Sequence, residues 1–180
     1  GNYDEDGVWK PELGRQDTRV VFSSDGGRSW QDDALINYTA LNGASPFGKI
    51  RNVDGILHMP IYGSSPDDVS SGAIQIDPAT TATYLLRSED GGRTWGNPSL
   101  VALGLNESDF LVLPDGDFLF SARSEVRDEM AIHTCKSSDS GETWRYIGRV
   151  TEASEHPPDL TLLSNGWILM TFGHRHEPFG

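Results

Sequence analysis

Ser88-Glu89-Asp90-Gly91-Gly92-Arg93-Thr94-Trp95 is the stretch on which the reading of this chain turns. It has the form S-x-D-x-G-x-T-W. Ser23-Ser24-Asp25-Gly26-Gly27-Arg28-Ser29-Trp30 repeats it with serine for threonine, and Ser137-Ser138-Asp139-Ser140-Gly141-Glu142-Thr143-Trp144 repeats it again. Asp25, Asp90 and Asp139 stand 65 and 49 residues apart. Matching octamers at such intervals are an internal repeat, and repeats of this period mark arrays of small supersecondary units. Asp and Ser side chains accept hydrogen bonds from nearby backbone N–H groups in a tight turn, and Gly supplies the permissive backbone. The tryptophans Trp30, Trp95 and Trp144 are then apolar plugs between neighbouring sheets. A catalytic or metal role for Asp25, Asp90 and Asp139 is the lesser reading.

Working outward from the boxes, short apolar runs alternate with Gly, Asp, Asn and Ser turns, and no long helical stripe appears. That pattern is all-β. Between the boxes lies a second repeated element, two apolar strands around a turn. Its copies are 47–62 around Asp54-Gly55, 109–123 around Asp115-Gly116, and 160–172 around Asn165-Gly166. Asp-Gly and Asn-Gly between apolar runs are strong hairpin signals, because both central residues tolerate positive φ. Each unit therefore reads strand a, tight turn, strand b, loop, strand c, box, strand d.

Four-stranded antiparallel units at this period predict a β-propeller, with about three blades present. The rival is a sandwich, in which nothing calls for the same c–d turn three times. The divisions are an irregular lead-in over 1–17, the end of a first blade over 18–44, a second blade over 45–104, a third over 105–154 and the start of a fourth over 155–180. Three units are half of six, so two copies could close one ring as a homodimer.

Composition narrows the function. The 180 residues carry 14 basic and 27 acidic side chains, a formal net charge of -13. This argues against nucleic acid, whose phosphates need a basic face. An anionic small ligand needs only a few local arginines. The lone Cys135 forms no intrachain disulfide and leaves the compartment open, with a secreted or periplasmic location compatible. No run is long and apolar enough for a transmembrane helix, and no signal peptide is visible at the start.

Hairpin geometry indicates which residues share an end. Two-residue turns would set Glu107 opposite Ser124 and diagonal to Arg123, His156 opposite Arg175, Pro157 opposite His174, and Phe47 opposite Tyr62. The boxes fall at the other end of each unit. Tyr62, Glu107, Arg123, His156, His174 and Arg175 are therefore expected at one mouth of the ring. Arginines offer bidentate donors matched to a carboxylate. A carboxylate beside a tyrosine could assist a phenol nucleophile. A structural Glu107–Arg123 ion pair is an equal alternative. The loop from Gly63 to about Thr81 could bring an acid, Asp67 or Asp68, over the mouth; a solvated loop is the plainer reading. Met59, Met130 and Met170 read as strand packing, and nothing marks Cys135 as a nucleophile. The histidines lack a standard metal spacing, and His174 and His176, two apart on an extended segment, are only a weak signal, so no metal is expected and no cofactor is implied.

These boxes resemble the Asp-box, or BNR, repeats of the sialidase superfamily over nearly all of 18–180. The resemblance implies a six-bladed propeller, of which this chain is part. Asn106-Glu107, Leu111-Val112-Leu113-Pro114-Asp115-Gly116 and Ser121-Ala122-Arg123 resemble the sialidase segment carrying a glutamate and an arginine. The resemblance assigns Glu107 to assisting a tyrosine nucleophile and Arg123 to clamping a sugar carboxylate. His156-Pro157-Pro158-Asp159-Leu160 to Gly173-His174-Arg175 resembles the following blade, with Arg175 as the candidate for a further clamp. His156 and His174, at the same hairpin end, are candidate substrate-binding residues and would be the residues of interest in a polysaccharide hydrolase or lyase.

The family's first clamp arginine and its general acid come from an early blade, and Arg51 with Asp67 or Asp68 is the nearest equivalent here. Its tyrosine comes from a late blade, beyond Gly180, although Tyr62 occupies a comparable hairpin end. The implied activity is glycoside hydrolysis at a terminal sialic acid or related acidic sugar. The alternatives are a non-catalytic carbohydrate-binding propeller and another polysaccharide-active hydrolase or lyase.

Overall fold

Among the described residues of the computed structural model, thirteen strands pair antiparallel into four successive sheets. The described residues are 18–36, 41–64, 72–76, 81–126 and 129–177. The lead-in, Asp67 and Asp68 lie outside them. β1 (Thr18–Phe22) pairs β2 (Gln31–Ile36). The next sheet holds β3 (Asn42–Pro46) and β4 (Arg51–Val53) along one edge, then β5 (Ile56–Ser64), β6 (Thr81–Ser88) and β7 (Gly96–Leu103). The third runs β8 (Leu105–Val112), β9 (Phe118–Ser124), β10 (Ile132–Ser137) and β11 (Arg145–Arg149). The last pairs β12 (Glu155–Leu162) with β13 (Ile168–His174). Among the described residues there is no helix, and no sheet closes on itself. The fold is all-β and built of propeller-type sheets.

The cores lie between successive sheets. β6 is buried along its whole length, and its side chains alternate between two cores. Ala82, Tyr84 and Leu86 join Ile36, Met59 and Ile61 on one face, while Leu85 joins Val101, Phe110, Phe118 and Phe120 on the other. Met59 thus packs in the core as expected, and Cys135 is buried, its thiol pushed up to about 12 by desolvation.

Each box folds its aspartate back on its own turn. Ser88 Oγ donates to Asp90 Oδ1 at 2.8 Å and accepts from Gly92 N at 2.8 Å. Thr94 N and Thr94 Oγ1 donate to the two Asp90 oxygens at 2.9 and 2.6 Å. The Asp25 and Asp139 turns repeat this pattern. The Ser29 backbone N–H foremost holds Asp25 down at about 2, and the Ser137 hydroxyl foremost holds Asp139 there. The Thr94 hydroxyl holds Asp90 well below the carboxylate range.

The third box also grips the sheet before it. Gly141 has φ +82°, and a Cβ there would stand 2.9 Å from Leu85 Cδ2 and 3.2 Å from Phe118. Ser99 Oγ donates to Gly141 O, and Arg87 reaches Ser140 O and Glu142, both at 3.2 Å. Trp95 and Trp144 pack against the inter-sheet cores. Trp30 does not act as the expected plug: it is 62% exposed, because no described sheet lies on that side of β1–β2.

Two of the three hairpins differ from the two-residue reading. Asp54 (φ 51°) and Gly55 (φ 91°) do form a two-residue turn, with Val53 opposite Ile56. At the other two, the loops hold three residues. Leu113 N donates to Asp117 O at 2.8 Å and Gly116 N to Leu113 O at 2.9 Å. Pro114 presets the first turn position, and Gly116 takes the left-handed one at φ 88°. Leu163, Gly166 and Trp167 repeat the arrangement. Every pairing therefore moves by one residue, and bulges between Leu105 and Ser108 and between His156 and Asp159 move it again. Leu105, not Glu107, stands opposite Ser124; His156 stands opposite Gly173, not Arg175; Glu155, not Pro157, stands opposite His174. Ser45, not Phe47, stands opposite Tyr62, because the first strand breaks at 47–50.

Candidate functional site

The box turns and the a–b turns share one end of each sheet. Ser88 lies opposite Leu57 and Ser137 opposite Phe118, both close to a hairpin turn. Tyr62, Glu107 and Arg123 lie toward the other end. There Arg123 Nη1 is 3.2 Å from Glu107 Oε2, with the two side chains 21% and 24% exposed. Glu107 lies in the bulge between Leu105 and Ser108, and Arg123 between their partners Ser124 and Ala122, so the two stand on facing stretches of the hairpin.

Asn106 organises the pair from below. It is 1% exposed. Its Oδ1 accepts from Arg123 Nε at 2.8 Å and from Glu107 N at 2.7 Å, and its Nδ2 donates to Glu125 Oε1 at 2.7 Å. Thr81 Oγ1 donates to the other Glu125 oxygen. Arg123 thus has its Nε fixed by Asn106, and its Nη1 turns to Glu107.

Tyr62 stands beside this pair. Burial, and next the Glu107 carboxylate, push its phenol above the ordinary value, with Arg123 opposing. Tyr62 is therefore a neutral hydroxyl near pH 7, suited to hydrogen bonding and not pre-ionised for attack.

His156 joins from β12. It is 3% exposed, and its Nδ1 has no hydrogen-bond partner among the described residues. Burial foremost, then the positive charges of Arg123 and Arg175, push it down to about 4. It is neutral near pH 7 and feels the charge of two guanidinium groups, a polarity an anion would relieve. Arg175 folds over Gly173, whose Cβ would meet Arg175 Nε at 3.3 Å.

The buried, neutral His156 sets a pH dependence. Its pKa falls from 6.5 to about 4 on folding. A depressed histidine contributes stability that is full above the unfolded value and is lost as pH drops toward the folded one. Urea midpoints are expected to fall between pH 6.5 and 4, and less steeply in His156→Gln. The box aspartates act in a separate window, from 3.8 down to about 2.

Two expected residues stand elsewhere. His174 turns to Glu155, its Nδ1 2.9 Å from Oε1. Arg51 turns to the next sheet: Nε donates to Phe110 O, Nη2 lies 3.4 Å from Asp109, and the guanidinium caps the Phe110 ring. Asp109 is 1% exposed and also takes Lys49 Nζ at 3.0 Å and Leu160 N at 2.9 Å. Lys49 continues to Asp159 at 2.7 Å. This cluster ties the edge strands of three sheets and borders an open groove of about 480 Å³ with Phe47, Pro157 and Phe172. Asp68, like Asp67, lies outside the described residues.

Asn106, Glu125 and Glu155 carry much of this geometry. Glu125 had one signal, its place two residues past Arg123. Glu155 had none, since its neighbours come from another strand.

Sheets of this kind, with a box in every c–d turn, define a sialidase-type propeller fold. The chain belongs to the BNR repeat-like domain family, which it matches over residues 5–170. Among solved structures it is similar to a protein of unknown function from Dyadobacter fermentans DSM 18053, at 23% identity and TM-score 0.74, covering 90% of this chain and 46% of that one. It is similar to the Hadza microbial sialidase Hz136, at 18% identity and TM-score 0.63, covering 87% of this chain and 35% of that one. It is also similar to a GH32 beta-fructofuranosidase from Bombyx mori, at 20% identity and TM-score 0.61, covering 94% of this chain and 36% of that one. The chain thus spans less than half the length of the solved structures it matches. No curated protein matches it.

Proposed function

We propose that this chain is part of a sialidase-like glycoside hydrolase and contributes the binding of an acidic sugar at the Arg123 mouth. The observation that carries this reading is Arg123, held at Nε by Asn106 and paired with Glu107 at the open end of its hairpin; the charges of Arg123 and Arg175 both act on the buried His156. A carboxylate entering there would pair with Arg123, displace part of its bond to Glu107, and be approached by Arg175. Asn106 holds Arg123 in position throughout. Glu107 would then be free to accept a proton or a hydroxyl hydrogen bond, and the Tyr62 hydroxyl would donate to a sugar oxygen.

Hydrolysis also needs a group to protonate the leaving oxygen and a nucleophile or activated water. Asp68 is the candidate acid of the chain itself. In a sialidase mechanism Glu107 polarises a tyrosine; the Glu107 charge reaches Tyr62, whose raised pKa favours a binding role over attack.

The test is binding of N-acetylneuraminic acid, followed by saturation-transfer NMR and calorimetry. The expected result is binding that Arg123→Ala weakens about 100-fold, the loss of a charge-assisted bidentate contact. Arg175→Ala should weaken it less. A chain that binds neither this sugar nor a uronic acid would remove the acidic-sugar reading. Turnover of a synthetic sialoside then separates a hydrolase from a binding propeller. The likeness to a beta-fructofuranosidase favours a second reading, a propeller acting on neutral sugars. Under it, fructosides bind and Arg123→Ala leaves that binding unchanged.

A further inference from the structure

Glu155, His174 and His176 form a cluster that the acidic-sugar reading does not use. Glu155 and His174 face each other across β12 and β13. Glu155 Oε1 lies 2.9 Å from His174 Nδ1 and 3.8 Å from His176 Nε2. One ligand atom from each residue falls within 4.8 Å of the other two. The two imidazole centroids are 3.9 Å apart. The second carboxylate oxygen, Oε2, is anchored by Glu152 N at 3.0 Å, which aims Oε1 at the histidines.

Three Lewis bases converge here. A zinc-type ion takes His nitrogen and carboxylate oxygen at roughly 2.0–2.2 Å, so tetrahedral ligands stand about 3.3 Å apart. The observed separations of 2.9 and 3.8 Å bracket that spacing. Small side-chain rotations bring all three donors to one centre. A neutral His174 needs only to carry its proton on Nε2 to offer Nδ1 as a ligand.

The cluster is also separated from the arginine mouth. Residues facing each other in an antiparallel pair point to the same side, and successive residues alternate. Glu155 and His174 share one side of β12–β13. His156 and Gly173, with Arg175 folded over Gly173, share the other.

We propose that Glu155, His174 and His176 bind one divalent transition-metal ion of the zinc class. Two histidines and one carboxylate fill three positions, leaving one open to water or a ligand oxygen. The ion joins the end of β13 to the start of β12, directly behind the segment that presents Arg175. The local sequence shows only the two histidines, because the carboxylate is supplied by a neighbouring strand.

The test uses the whole chain, stripped with a chelator and dialysed. Zinc chloride is titrated by calorimetry, and cobalt chloride is followed by visible absorption. The expected result is one ion per chain, with cobalt d–d bands and a raised thermal midpoint. His176→Ala keeps the His174–Glu155 bond and so keeps the fold; it should weaken zinc binding about 100-fold. Glu155→Gln should weaken it comparably. His133→Ala, on β10 against Tyr146, should leave it unchanged. No binding by the folded chain overturns the proposal. So does a folded His176→Ala chain that binds as tightly as the parent. Both readouts are independent of any sugar chemistry, so they separate this site from the acidic-sugar reading.

Discussion

Gly48→Ala is expected to destabilise the chain by about 4 kcal/mol, the sum of backbone strain and overpacking. Gly48 has φ +92°, and a Cβ there would lie 2.2 Å from Ser108 O and 3.2 Å from Asp109 Cα. Both obstacles are backbone, so no rotamer change relieves them. The break between β3 and β4 presses Gly48 onto β8, and β8 would have to move. Ser108 follows Glu107, so the displacement also reaches the Arg123 pair. Gly55→Ala is the control. Gly55 has nearly the same φ, +91°, with nothing within 4 Å of its Cβ. It should cost only about 1 kcal/mol, from the backbone alone. Urea unfolding of both variants measures the difference. Equal costs would mean that the approach of Gly48 to Ser108 is not tight in solution.

Asn106→Leu is expected to cost about 3–5 kcal/mol, because it removes a buried partner from a guanidinium, a carboxylate and a backbone N–H at once. Leucine fills much the same volume but offers neither the oxygen for Arg123 Nε and Glu107 N nor the N–H for Glu125. Sugar binding should fall with it, since Arg123 loses its fixed orientation. Asn106→Asp separates the two halves of the network. It keeps an oxygen for Arg123 but sets a carboxylate against Glu125. That arrangement raises a carboxyl pKa in the folded state, so this variant should gain stability as pH falls from 7 toward 5. Chemical denaturation at both pH values checks the sign. A variant as stable at pH 7 as the parent would mean that the Asn106–Glu125 bond contributes little.

The fold was legible because its signals are local. An aspartate four residues before a threonine bonds within its own turn, wherever the octamer occurs. Asp54-Gly55 formed the two-residue turn that its residue types favour. At Pro114-Asp115-Gly116 the dipeptide reading overlooked Pro114, which starts the turn one residue earlier. That single residue moved every pairing in the hairpin, and the bulges at Leu105–Ser108 and His156–Asp159 compounded it. A register is a running count, so one local misreading propagates along both strands.

The candidate site was legible only in part. Glu107 and Arg123 stand together as expected of neighbours on one hairpin, since strand pairing brings them close even when the count is off by one. Arg51 carried the same charge and a similar setting, yet Asp109 and the Phe110 carbonyl claim it. That competition depends on how one sheet packs on the next, which no spacing along the chain records.

The sequence by itself determined the repeat, the all-β class, the order of strands within each unit and the end at which the boxes lie. These follow from hydrogen bonds and backbone preferences a few residues in range. The tertiary structure alone decided that Asn106 steers Arg123, that His156 is buried on β12, and that Glu155 gathers two histidines. Each of those contacts joins side chains whose distance is set by bulges, three-residue turns and the packing of separate strands. Their geometry exists only after the sheets have formed.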